Sequence, residues 1–178
     1  MSNPHVALVK ELKKDVAAYM GDNVVSDKLA ESVSRWPVAT EEFVVYRGQP
    51  KENTELPTRD TFFSATWGVD VAKRFAQEYT TKGNVLAITV KPGIRYLELS
   101  YHGEREVLLE GGGLATYGAK KVRVRDDVTW TMAIPVTYAP KPEPEPEDVP
   151  EGKEALAAMR TGGGRRKTRR RTSLRRRR

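Results

Sequence analysis

Apolar residues recur at helical spacing through residues 5–20, where Val6, Val9, Leu12, Val16 and Tyr19 predict one buried face. A second helix is predicted from a cap at Ser26 to about Trp36, where Pro37 stops it. After residue 40 the period changes. "EEFVVYRG" (41–48) and "TFFSATW" (61–67) read as strands. "VDVAKRFAQEY" (69–79) returns to the helical period, with Val71, Ala72, Phe75, Ala76 and Tyr79 as its inner face. Strands follow at 84–93, 94–99, 105–111 and 120–138, the last split in two, and "EGGGLATYG" reads as the loop before it. Short strands interrupted by one helix predict an α+β fold rather than alternating βαβ units.

At residue 139 the pattern ends. The predicted organisation is a folded domain over 1–138, a Pro/Glu-rich spacer over 139–153, a short helix and glycine joint over 154–164, and a basic tail over 165–178. The formal charge of +7 conceals two halves: the tail holds ten Arg or Lys and no acid, so removing its ten charges leaves −3 for residues 1–164. Such a tail suits phosphate backbones or a nuclear localisation signal, and a solubilising role is the plainer reading. It resembles the tails of nucleic-acid-packaging and virion proteins.

The remaining composition removes several classes. With no cysteine, disulfides and thiolate metal sites are excluded, and His5 and His102 are the only imidazoles, so no metal is expected. No apolar run approaches the roughly 18–20 residues that span a bilayer. The N-terminus lacks the apolar core of a secretory signal, so the expectation is an intracellular monomer without membrane attachment.

Candidate chemistry concentrates in three strands. Arg47 and Gly48 end the first, Ser64 and Thr66 share a face of the second, and "YHGEREVLL" sets Glu104 and Glu106 two apart at the start of a third. In an extended strand, residues two apart face the same way, which would hold two carboxylates together against their repulsion. The glycines of "EGGGLATYG" lack the Lys-Ser/Thr of a phosphate loop, and His102 reads as a loop-surface residue.

The order of these residues resembles the arginine–serine–glutamate class of mono-ADP-ribosyltransferases over about residues 41–112. The resemblance implies two facing, mostly antiparallel sheets around an NAD cleft, with N-terminal helices. It implies NAD as the substrate, with Arg47 on its phosphate side, Ser64 orienting Glu106, and Glu106 stabilising the ribose cation and holding its 2′-hydroxyl. It also implies that Glu104 receives the acceptor and that Tyr101 lies in the turn recognising it; Glu at the first position goes with arginine acceptors, hence a protein partner with an exposed arginine. Two departures stand out. Ala65 replaces the middle Thr of the family's Ser-Thr-Ser strand and Thr66 its last Ser, and the leading helical lobe is reduced to two helices. Trp67 either stacks on nicotinamide or packs. Transfer to nucleic acid guided by the tail, NAD hydrolysis and a non-catalytic basic binding protein are the competing readings; the arginine reading itself further implies modification of the tail's own arginines within 165–178.

Overall fold

The computed structural model describes residues 3–79, 83–99, 105–125 and 130–142. Tyr101, His102, Glu104, the spacer from residue 143 onward, the short predicted helix and the basic tail lie outside the described residues.

The first predicted helix is two. Helix α1 (Pro4–Glu11) starts at Asn3, whose side chain accepts the His5 backbone N–H at 2.9 Å, and α2 (Lys13–Asp22) follows a break at Leu12 with φ −95° and ψ 16°. The buried stripe is Leu8, Leu12 and Val16, at i and i+4. Val6, expected inside, is 46% exposed; it lies roughly 200° around the helix from Leu8, on the side away from the sheet. Helix α3 (Asp27–Ser32) has the predicted cap: Ser26 Oγ accepts the Leu29 N–H at 3.1 Å and donates to Asp15 at 2.6 Å, tying α3 to α2. A 3₁₀ turn, Val33–Arg35, then carries the chain to Trp36, whose buried indole donates to Ser32 Oγ at 2.9 Å.

The remaining elements are β1 (Phe43–Gln49), β2 (Phe62–Thr66), α4 (Val69–Tyr79), β3 (Asn84–Val90), β4 (Tyr96–Leu99), β5 (Glu106–Glu110), β6 (Leu114–Tyr117), β7 (Val122–Arg125) and β8 (Trp130–Ala139). The architecture is α+β. Strand order is β4-β5-β2-β1-β3-β8-β6, with β7 also paired to β8; of these pairs only β3–β8 is parallel. Strand β6 corrects the loop expected over "EGGGLATYG". Its residues are mostly exposed and lie on a sheet edge, so they lack the buried apolar alternation that marks a strand in sequence.

The sheet is narrow at its middle. All of β1 pairs with β3, but a single registered pair, Tyr46↔Thr66, joins β1 to β2. On either side the sheet folds over one apolar cluster. Phe63, Ala65, Val107 and Leu109 from β2 and β5 meet Val45, Leu86, Ile88, Val136 and Tyr138 from β1, β3 and β8. The expected two facing sheets are therefore two halves of one hydrogen-bonded array. The outer face of β2, β4 and β5 receives α1–α3 through Phe62, Leu97 and Leu108, and the outer face of β1, β3 and β8 receives α4 through Val85, Ala87 and Ala133.

His5 links the N-terminal helix to this sheet. Its ring is buried, stands 4.7 Å from Tyr96, and accepts the Glu98 N–H on Nδ1 at 3.3 Å. Burial lowers its pKa from the usual 6.5, against a smaller opposing pull from Glu98. A lowered value means that the folded state favours neutral imidazole. Stability from this residue is therefore whole above about pH 6.5 and is lost as pH falls below it, because the unfolded chain takes up the proton first. His5→Gln, which keeps an acceptor for Glu98, should flatten that decline. Urea midpoints at about pH 7.5 and 5.5 test it; equal losses in wild type and variant would exclude His5 as the source.

Candidate active site

The helix-covered face of β2 and β5 changes character along its length. At one end Phe62 and Leu108 lie beneath Leu8, Leu12 and Leu29. Toward the other end, register pairs Ser64 with Leu108 and Thr66 with Glu106, so Ser64, Thr66 and Glu106 extend the same face. The helices do not cover this polar end. A cavity of about 630 Å³ opens there instead, with Tyr19 and Met20 of α2 and its C-cap Asn23 on one wall and Val71 and Phe75 of α4 on another. Arg47, Gly48, Ser64, Thr66 and Glu106 all line it, which gathers the predicted residues of three separate strands.

Arg47 lies where β1 and β2 separate. Its Nη1 donates to Ser64 Oγ at 3.1 Å and to the Ser64 carbonyl. One guanidinium thus fixes both the hydroxyl and the backbone of Ser64, a task suited to a planar, permanently charged fork. Gly48 serves close approach: a Cβ there would stand 1.9 Å from the Ala72 carbonyl oxygen, so the bare backbone lets α4 rest on β1 beside the cavity. Thr66 Oγ1 accepts the Gly68 N–H at 3.1 Å and hydrogen-bonds the Arg105 carbonyl at 3.5 Å, fastening the end of β2 to the start of β5.

Trp67 is corrected. Its ring packs on Phe43 with centroids 5.0 Å apart, against the apolar cluster between the sheet halves, and it does not line the cavity. Strand alternation is the reason: Trp67 continues the side of Phe63 and Ala65, opposite Ser64 and Thr66. The same alternation sets Ala65 in that cluster.

The same-face expectation for Glu104 and Glu106 turns on a residue outside the described ones. Strand β5 begins at Glu106, and Arg105 has φ 46°, in the left-handed region. Alternation by two holds only across extended residues, so it stops at Arg105. Glu104 and Tyr101 lie outside the described residues.

Tyr19 is the functional-site residue that sequence reasoning missed. The helical period assigns it to a buried face, and its ring does meet Phe62 edge-on with centroids 5.4 Å apart. It also lines the cavity beside Ser64, Arg47 and Glu106. Burial and then Glu106 raise its pKa, against Ser64 and Arg47, so it stays a neutral phenol through the physiological range. Period alone does not say where the polar tip of a mostly buried tyrosine points. Gln49 at the end of β1 and the loop residues Asn53 and Glu55 also enter the lining, and Gln49 Nε2 donates to the Asn53 carbonyl to brace that wall.

The site therefore sets the Arg47 guanidinium, the Glu106 carboxylate and the hydroxyls of Ser64 and Thr66 around an open cavity. Such a set can hold an anionic group at the arginine and stabilise positive charge developing at the carboxylate. Among the described residues no cluster of His, Asp and Glu could hold a metal ion.

No protein-family model and no curated protein matches the chain. Its course is similar to those of several solved structures. One is C3larvin toxin, an ADP-ribosyltransferase from Paenibacillus larvae, at 16% identity over 79% of this chain and 89% of that one, with TM-score 0.42. Another is an ADP-ribosyltransferase from Clostridium botulinum, at 13% identity over 78% of this chain and 87% of that one, with TM-score 0.40. A third is exoenzyme S from Pseudomonas aeruginosa, solved with human 14-3-3 protein beta and carba-NAD, at 13% identity over 90% of this chain and 82% of that one, with TM-score 0.41.

Proposed function

We propose that the cavity binds NAD and that the chain transfers ADP-ribose from it to an arginine side chain of a protein, releasing nicotinamide. The observation carrying this reading is the convergence of Arg47, Ser64 and Glu106, from three strands, on one cavity.

In this mechanism the diphosphate of NAD lies toward Arg47. The bond between ribose C1′ and the nicotinamide nitrogen breaks, its electron pair leaves with neutral nicotinamide, and positive charge spreads over C1′ and the ring oxygen. The Glu106 carboxylate stabilises that charge more in the transition state than in the bound substrate, which is the condition for catalysis. Ser64, held by Arg47, keeps the neighbourhood of Glu106 fixed, so the charges need little reorganisation during reaction. The acceptor guanidinium then forms a C1′–N bond and gives up one proton, for which Glu104 is the proposed base. With water as nucleophile the same steps amount to NAD hydrolysis.

The two glutamates separate in one experiment. Glu104→Gln should lose modification of agmatine, a small guanidinium acceptor, while keeping much of the slow nicotinamide release, because water needs no guanidinium-binding carboxylate. If both activities fall together in a folded variant, Glu104 is not on the acceptor side and the arginine reading fails. Incubating wild type with labelled NAD and cell extract, then mapping the modified residues by mass spectrometry, tests the acceptor directly; modification of nucleic acid alone would replace protein arginine as the target.

A further inference from the structure

The ribbon of β7 and β8 carries a surface that the cavity does not use. Pairing of Arg125 with Trp130 and of Arg123 with Met132 sets these four side chains on one face. Trp130 is 54% exposed and Met132 50%, whereas on the alternate face Ala133 is buried and Val124 packs into the cluster beneath α4. Trp130 precedes Ala133, the first residue of β8 that pairs with β3, so the indole stands beyond the shared part of the sheet.

Among the described residues, the charges on this face of the ribbon have one sign. The Arg123 guanidinium lies 4.9 Å from the Trp130 ring centroid and that of Arg125 lies 5.7 Å away. Lys120 and Lys121 at the head of the strand are exposed as well. Residues 120–125 thus carry four cations and no carboxylate; Asp126 and Asp127 come next in sequence, outside the described residues.

An exposed indole bordered by guanidiniums offers two things together: a flat π face and donors for phosphate. Single-stranded nucleic acid presents the matching pair, since every unpaired base has a face to stack and every linkage has a phosphate. An acidic protein would use the cations but leave the indole and thioether without a complement, and a duplex keeps its base faces stacked on one another. We propose that Arg123, Arg125, Trp130 and Met132 form a binding face for single-stranded nucleic acid, with a base stacked on Trp130 and adjacent phosphates held by the two arginines. This is independent of the transfer reading: the face shares no residue with the cavity lining.

The basic tail, with its ten cations, would attract any polyanion, so the test must separate stacking from charge. The full-length chain is titrated at fixed salt with an oligothymidylate and with an abasic sugar–phosphate strand of equal length, following tryptophan emission and affinity. Trp36 is buried and Trp67 packs on Phe43, so Trp130 is the indole open to a base. The expected result is quenching and tighter binding with the base-bearing strand only. Trp130→Ala should lose about five-fold or more of that preference, Trp130→Tyr should keep most of it, and circular dichroism should be unchanged because the side chain is exposed. Equal affinity for both strands, an unchanged preference in Trp130→Ala, or equally tight Trp130-dependent binding of a duplex would each overturn the proposal. NAD turnover measured on the same variants keeps a failure of the transfer reading distinct from a failure of this one.

Discussion

Glu106→Gln is expected to leave the fold intact and to cut both transfer and nicotinamide release by about 10²–10³, the usual loss for one well-aimed electrostatic group. The amide has nearly the shape of the carboxylate, and Glu106 makes its register pairs with Thr66 and Leu99 through the backbone. Hydrogen bonding is therefore largely retained while the negative charge disappears. In the proposed mechanism that charge faces the ribose cation in the step shared by transfer and hydrolysis, so no acceptor should rescue the variant. Single-turnover nicotinamide release, with thermal melting as a control for folding, provides the test. Turnover within a few-fold of wild type would remove Glu106 from the reaction.

Gly48→Ala is expected to damage stability more than any exposed substitution. The new Cβ would lie 1.9 Å from the Ala72 carbonyl oxygen and 2.6 Å from the Ala76 nitrogen, both backbone atoms of α4. No rotamer change relieves a backbone contact, so α4 must move off β1, and with it the buried side chains of Ala72 and Ala76. Overpacking commonly costs about 1–3 kcal/mol, and this case belongs at or above the top of that range. A fall in melting temperature on the order of 10 °C would follow for a domain of this size. Since Val71 and Phe75 of α4 also line the cavity, the surviving folded fraction should bind NAD more weakly. An unchanged melting temperature would show that the sheet and helix are not held at this distance.

Much of the architecture was legible because burial imposes periodicity. Helix α4 matches its predicted span, β2, β3 and β5 fall inside theirs, and β1 overruns its own by one residue, Gln49, since each packs against a core. Strand β6 was not legible because its edge position leaves it without an apolar face. The break at Leu12 was not legible either: Leu8, Leu12 and Val16 remain in phase across it. At the site, Arg47, Ser64 and Glu106 were found by their order along the chain. The Arg47–Ser64 contact depends on the separation of β1 from β2 after one registered pair, a long-range feature that no local window contains. Trp67 shows how local arithmetic decides an ambiguity, because its parity on β2 already set it with Phe63 and Ala65.

The left-handed residue before β5 has a consequence for how the chain can vary. Trp67 N–H donates to the Arg105 carbonyl at 3.1 Å, and the pairing of β2 with β5 begins immediately afterward. The phase of the strand is thus set at Arg105 and not inherited from whatever precedes it. An insertion or deletion between Leu99 and Arg105 would change the length of that segment without sliding Glu106 past Thr66. Arg105 acts as a mechanical stop: segments of different length could be exchanged ahead of it while the carboxylate beyond it keeps its place.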